Sequence, residues 1–129
     1  MNEEYARNRL TDICKLLYDR QLTVSAGGNM SIRLNEREIL ITPSGRNKGM
    51  LEPEDLIKMD LDGNVLSSGK PSIEHKFHLA LYRKNPDTNA VVHCHPLYCV
   101  TLAVQNKDIK SGLTPEGVML LGDVPMIKY

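Results

Sequence analysis

The chain reads as an α/β domain, with helices packed on the faces of a mixed sheet. Three observations lead there. Segments with helical periodicity alternate with short β-branched runs. Two of those runs form a hairpin, which argues against a wholly parallel sheet. Hydrophobic residues make up 41% of the 129, with one Phe and no Trp, so a core can form and must be mainly aliphatic.

The elements follow in order. Over residues 3–20, Leu10, Ile13, Cys14 and Leu17 keep the i, i+3, i+4, i+7 spacing of an amphipathic helix. Ser25-Ala26-Gly27-Gly28-Asn29 is a glycine-bearing loop. Residues 30–34 and 38–42 read as strands turned at Asn35-Glu36, and Pro43-Ser44-Gly45 breaks the second into a loop. Residues 56–61 read as a strand ended by the turn Asp62-Gly63-Asn64. Ser72 closes a loop as the expected N-cap of a helix over 73–84, with Glu74 in its first turn and Asn85-Pro86-Asp87 as its stop. Residues 90–95 form a β-branched run and so a buried strand, and Pro96 opens a helix over 97–104. Residues 113–117 are loop-like, and a further strand is expected from Val124 to Tyr129.

Composition excludes several functions. Sixteen basic residues balance sixteen acidic ones, so neither nucleic acid nor an anionic membrane surface is an expected partner. No apolar run approaches a membrane span, and the acidic, helical start MNEEYARNRL lacks a secretory core. Three cysteines, an odd number in apolar stretches, suit a reduced cytoplasmic protein, with Cys14, Cys94 and Cys99 as small core residues.

The chemistry-bearing residues are few. In His93-Cys94-His95-Pro96, strand alternation puts both imidazoles on one side of the strand's end and the thiol on the other. Such a pair either caps a strand end by hydrogen bonds or holds a metal. The pairing favours the metal, and neutral imidazole suits zinc. A catalytic zinc takes three protein ligands, and this strand supplies two. Gly27-Gly28-Asn29 and Pro43-Ser44-Gly45 are ordinary turns when taken singly. With Ser72 they offer three anion-friendly points for a small phosphate. Glu74 is either a favourable charge in a helix's first turn or a carboxylate beside a metal, able to take a proton. His75 and His78 suit structural or surface roles, His78 half-buried between Phe77 and Leu79. Phe77 and Tyr82 suit the core.

Six segments, in colinear order over essentially the whole chain, carry a resemblance. They are Ala26-Gly27-Gly28-Asn29-Met30-Ser31, Ile41-Thr42-Pro43-Ser44-Gly45, Met59-Asp60-Leu61-Asp62-Gly63-Asn64, Lys70-Pro71-Ser72-Ile73-Glu74, His78-Leu79-Ala80-Leu81-Tyr82 and Ala90-Val91-Val92-His93-Cys94-His95. Together they resemble the class II aldolase/adducin family, and within it the L-fuculose-1-phosphate aldolases of the short archaeal type. The resemblance implies a three-layer α/β/α fold around a mixed, largely antiparallel sheet. It implies a homotetramer with sites at subunit interfaces. It implies one zinc per subunit held by His93 and His95, with Glu74 as acid/base and as a further possible ligand. It implies that Gly28, Asn29, Ser44, Gly45 and Ser72 hold the substrate phosphate. The implied reaction cleaves a sugar phosphate such as L-fuculose 1-phosphate to dihydroxyacetone phosphate and an aldehyde such as lactaldehyde.

Departures from the family pattern define the alternatives. Ile73 stands where fuculose aldolases often carry a second serine, and no tyrosine occurs over residues 113–118. The family's third zinc histidine lies C-terminal to every residue present. The chain is thus expected to be a single family domain cut short as a new strand begins, exposing apolar sheet and helix surface. An epimerase, a dehydratase or a decarboxylase acting on another phosphorylated sugar or sugar acid is the first alternative. Glu74 stands where the family's epimerases tend to carry Asp, while Leu113-Thr114-Pro115 followed by Val118-Met119 resembles the decarboxylase branch. A non-catalytic, adducin-like assembly module or inactive fragment is the second.

Overall fold

A computed structural model describes residues 2–128. They divide into two compact units, the first ending at His95 and the second beginning at Pro96.

In the first unit, helix α1 (Glu3–Asp19) is capped by the Asn2 side chain, which accepts the Tyr5 N–H at 3.1 Å. Glu3 and Glu4 occupy its first turn, where the helix dipole favours negative charge. Strands β1 (Asn29–Arg33), β2 (Glu38–Ile41), β3 (Ile57–Asp60) and β4 (Ala90–His93) form one sheet in the order β3-β2-β1-β4. Helix α2 (His75–Lys84) precedes β4 and stops at Asn85, held extended by the proline that follows.

Strand alternation divides the core in two. Met30 and Leu40 join Leu34, Leu51 and Leu56 against Ala6, Leu10 and Cys14 of α1. Ile39, Ile41, Ile57, Met59 and Val91 pack on the other side against Leu79 and Tyr82 of α2. The result is helix, sheet, helix: the three-layer α/β/α arrangement.

All three strand pairings are antiparallel among the described residues. The alternation of strands and helices suggested some parallel pairing. It does not occur because β3 and β4 lie at opposite edges and run in opposite directions, so α2 is not a parallel crossover.

Two boundaries differ from expectation by two residues. Helix α2 starts at His75 with Glu74 as its N-cap, not at Ser72. The Ser72 carbonyl instead accepts the His75 N–H at 3.0 Å, closing a separate turn. Strand β4 ends at His93, not His95. Its partner β1 begins at Asn29, opposite His93, and Gly28 turns away with φ +68°, so Cys94 and His95 have no strand to pair with.

The second unit holds α3 (Leu97–Val104), a 3-10 turn at Ser111–Leu113 and a π-helical turn at Gly117–Leu121. The strand expected from Val124 is reduced to a single bridge between Val124 and Ile109, while Tyr129 lies outside the described residues. The cysteines are not all core: Cys14 is buried, Cys94 half-buried and Cys99 exposed. Burial pushes the Cys14 thiol up to about 12, which keeps it protonated and inert. Apolar surface is exposed on the sheet edge at Val92 and in the second unit at Leu97, Tyr98, Val104 and Leu120. No helix among the described residues is long and apolar enough to cross a membrane.

Candidate active site

Two periodicities assemble the site. Along β1, Asn29 and Ser31 point to the α2 side of the sheet. Along β4, Val91 and His93 do the same, paired with Ser31 and Asn29 across the ladder. On α2 and its N-cap, Glu74, His78 and Tyr82 are spaced four apart and share a stripe. The stripe lies over the strands.

The side chains join in one chain of hydrogen bonds. Asn29 Nδ2 donates to Glu74 Oε2 at 2.5 Å. Asn29 Oδ1 lies 2.5 Å from His78 Nε2, so that ring nitrogen carries the proton. His78 Nδ1 must then accept from Ser31 Oγ, 2.7 Å away, and Ser31 Oγ accepts from the Tyr82 hydroxyl at 2.8 Å. Ser31 and His78 are fully buried, and Asn29 and Tyr82 nearly so. Burial pulls His78 down to about 4 and pushes Tyr82 up to about 12, so the imidazole is neutral and the phenol protonated at physiological pH.

The His93 and His95 imidazoles converge. His93 Nε2 and His95 Nε2 are 2.9 Å apart with the rings edge to face. Glu74 Oε2 lies 3.6 Å from His93 Nε2, and Phe77 stands edge-on to the His93 ring. Burial is the main influence on His93 and lowers its proton affinity, which favours the neutral, ligating form. Among the described residues no group of three His, Cys, Asp or Glu side chains is drawn together as a metal cage. The pair nonetheless fits zinc: the two imidazole nitrogens, 2.9 Å apart, sit within a few tenths of an ångström of the roughly 3.3 Å that tetrahedral ligands at 2.0–2.1 Å require.

A cleft of about 170 Å³ brings together Gly28, Asn29, Ser44, Gly45, Ser72, Glu74 and His95. These are all the residues singled out in the sequence except His93, which reaches the group through Glu74 and His95. The Ser44 N–H donates to the Lys70 carbonyl and the Ser72 N–H to the Thr42 carbonyl, each at 3.0 Å. Those amides are therefore occupied, and the serines offer an anion their hydroxyls. Ile73 lines the same cleft where a second serine hydroxyl would add a donor.

Four participants went unsingled in the sequence. Ser31 carried no chemical signal. His78 and Tyr82 were expected as structural or core residues, though the spacing of Glu74, His78 and Tyr82 already placed them on one helical stripe. Lys48 is buried in the cleft wall, its Nζ donating to the Ala26 carbonyl at 3.0 Å and the Arg46 carbonyl at 2.9 Å. Burial lowers its proton affinity. Phe77, expected in the core, is more than a third exposed.

Gly28 makes a tight backbone contact in the site. A Cβ there would stand 2.5 Å from the His93 carbonyl oxygen, on a backbone already at φ +68°. Gly28→Ala is expected to lose about 1–2 kcal/mol from the backbone conformation alone. It should also displace the His93 carbonyl and weaken zinc binding. Urea melts and zinc titration check both, and a variant matching wild type in each would contradict the assignment of Gly28 as a spacer.

Comparison with known proteins places this geometry. Residues 8–129 match the family model described as the class II aldolase and adducin N-terminal domain. An L-fuculose phosphate aldolase of Methanocaldococcus jannaschii is 42% identical over 123 residues, 95% of this chain and 66% of its own. A 3-oxo-tetronate 4-phosphate decarboxylase of Haemophilus influenzae is 37% identical over 133 residues, covering 100% of this chain and 63% of its own. The chain thus spans about two thirds of the length of these curated relatives. The crystal structure of Escherichia coli YgbL superposes with a TM-score of 0.90 at 37% identity, over 98% of this chain and 63% of that one. The match over nearly the whole chain, the shared fold and the order of the site segments agree: this chain belongs to the class II aldolase and adducin family.

Proposed function

We propose that the protein is a zinc-dependent lyase that cleaves a phosphorylated sugar, L-fuculose 1-phosphate or a close analogue, to dihydroxyacetone phosphate and an aldehyde such as lactaldehyde. The observation that carries this reading is the pairing of His93 and His95, whose Nε2 atoms lie 2.9 Å apart, with the Glu74 carboxylate 3.6 Å from His93 Nε2.

In this reading His93 and His95 would hold the zinc, with the Glu74 carboxylate beside them. Zinc when bound supplies Lewis-acid polarisation of the substrate carbonyl. The chain's own residues do the rest. The hydroxyls of Ser44 and Ser72, with the backbone at Gly28 and Gly45, take the phosphate oxygens. Asn29 holds the Glu74 carboxylate in place. As the carbon–carbon bond breaks, the hydroxyl on the departing carbon gives up its proton to solvent and becomes the aldehyde carbonyl; the electron pair stays on the carbon next to the substrate carbonyl, and Glu74 delivers a proton there, removing one in the synthetic direction. The protein acts as a cytoplasmic homotetramer on a small phosphorylated sugar, without nucleic acid or membrane as partner.

A second reading has support of its own. Loss of carbon dioxide from a 3-oxo sugar acid also leaves an electron pair beside a carbonyl, so the same acid serves both reactions. The Haemophilus influenzae decarboxylase aligns along the whole chain.

One experiment separates these readings. The zinc-loaded protein is incubated with L-fuculose 1-phosphate and with a 3-oxo-tetronate 4-phosphate, and dihydroxyacetone phosphate and carbon dioxide are measured separately. Dihydroxyacetone phosphate from the first substrate, lost together with bound zinc in His93→Ala, is the expected result. Carbon dioxide from the second alone replaces the aldolase reading by the decarboxylase. Turnover of neither overturns both.

A further inference from the structure

We propose that His78, Ser31 and Tyr82 are positioning residues that act through Asn29 on the Glu74 carboxylate. The proposal rests on the reading of Glu74 as the site's acid/base and extends it to residues that touch neither substrate nor metal.

The direction of the hydrogen bonds carries the inference. Each link permits one polarity once its neighbour is fixed. A carboxylate only accepts, so Asn29 must turn its Nδ2 toward Glu74 and its Oδ1 toward His78. That makes His78 the Nε2–H tautomer, which makes its Nδ1 an acceptor for the Ser31 hydroxyl. Ser31, having donated its only proton, accepts from Tyr82. All four bonds therefore donate toward the carboxylate, in a dry environment where aligned hydrogen bonds polarise one another.

The inner members show what the chain is for. They stand beside the apolar cluster of Leu79 and Val91, where hydrocarbon side chains would need no polar matching. The polar series leads to the cleft and stops at its carboxylate. It fixes the Asn29 amide in one orientation of the two available. A flipped amide would set its oxygen against the carboxylate and its N–H₂ against a ring nitrogen carrying a proton. With Oδ1 held by His78 and one N–H held by Glu74, the fixed Asn29 amide keeps its second N–H to donate to an acceptor oxygen.

The test reads the far end of the chain after cutting its middle. Nitrogen-15 NMR of the wild type is expected to show His78 as one neutral tautomer protonated on Nε2. In Ser31→Ala the tautomers should mix and the Asn29 side-chain amide signals should shift. An Asn29 amide unmoved by Ser31→Ala overturns the proposal. In turnover, Ser31→Ala should lower kcat about tenfold with KM within about twofold, since a misoriented carboxylate affects the proton-transfer step more than binding. His78→Gln keeps an N–H directed at Asn29 and should retain more activity than His78→Leu. A Ser31→Ala protein with a lowered melting temperature but wild-type kcat gives these residues a packing role only and also overturns the proposal. A wild type inactive on every sugar phosphate tried overturns the reading of Glu74 instead, and the NMR outcome then decides whether the chain orients Asn29.

Discussion

Glu74→Gln is expected to lower kcat by about 10²–10⁴-fold, the range a well-placed general acid/base supplies. Gln has the same shape as Glu and cannot exchange a proton. Its amide oxygen can still accept the Asn29 N–H now held at 2.5 Å, so the packing around the helix start should survive. Because Glu74 is exposed at its tip and sits at the N-cap of α2 without capping it, the folded state has little to lose from the substitution. KM should move far less than kcat, since the phosphate meets other groups. Steady-state kinetics with a thermal melt and a zinc assay on the same preparation provide the check. A variant that keeps kcat within about threefold, with zinc and fold intact, removes Glu74 from the proton-transfer role.

Lowering the pH from 6.5 to 4 is expected to remove about 3 kcal/mol of stability through His78 alone. The group is wholly buried and held neutral down to about 4, whereas an unfolded chain protonates its histidines near 6.5. Between those values the unfolded state binds the extra proton, so stability falls with pH and the loss levels off below the folded value. Burial is the first cause, with His93 and His75 adding repulsion and Glu74 opposing it. Carboxylates whose proton affinity is lowered in the fold, such as Glu3 beside Arg7 and Lys58, lose stability in the same acid range. They are common to wild type and to His78→Gln. The measurement is therefore the difference in slope between urea melts of the two proteins at pH 7, 5.5 and 4. Parallel slopes would show that His78 is not the buried neutral group described.

How far the sequence disclosed this site depends on what each residue advertises. Periodicity over residues 3–20 disclosed α1 to within one residue, because Leu10 and Cys14 repeat at helical spacing and face the sheet. The hairpin of β1 and β2 was equally plain. The His93-x-His95 pair, the two glycine-bearing loops, Ser72 and Glu74 carry chemistry in their residue types, and the fold gathers them. The start of α2 was misread because Ser72 is a better N-cap residue than Glu74. It closes a turn of its own while the Glu74 side chain is drawn to Asn29. The end of β4 was misread because β-branched residues extend the pattern, while the ladder is limited by where its partner begins. Lys48 stayed hidden because a lysine between polar loops signals a solvated surface. Only the fold shows two carbonyls ready to receive it.

The missing side chain at Gly28 has a mechanical meaning. Its backbone lies directly against the carbonyl of His93, so the loop leading into Asn29 and the strand end carrying the imidazole form one stiff body. Across the cleft, the strap bearing Ser44 is stitched to the strap bearing Ser72 by paired backbone hydrogen bonds, making a second stiff body. Lys48, gripping carbonyls at Ala26 and Arg46, is the rivet between them. Any widening of the cleft must stretch that rivet, and so the distance from anion cradle to imidazoles is a fixed gauge for the length of molecule it admits.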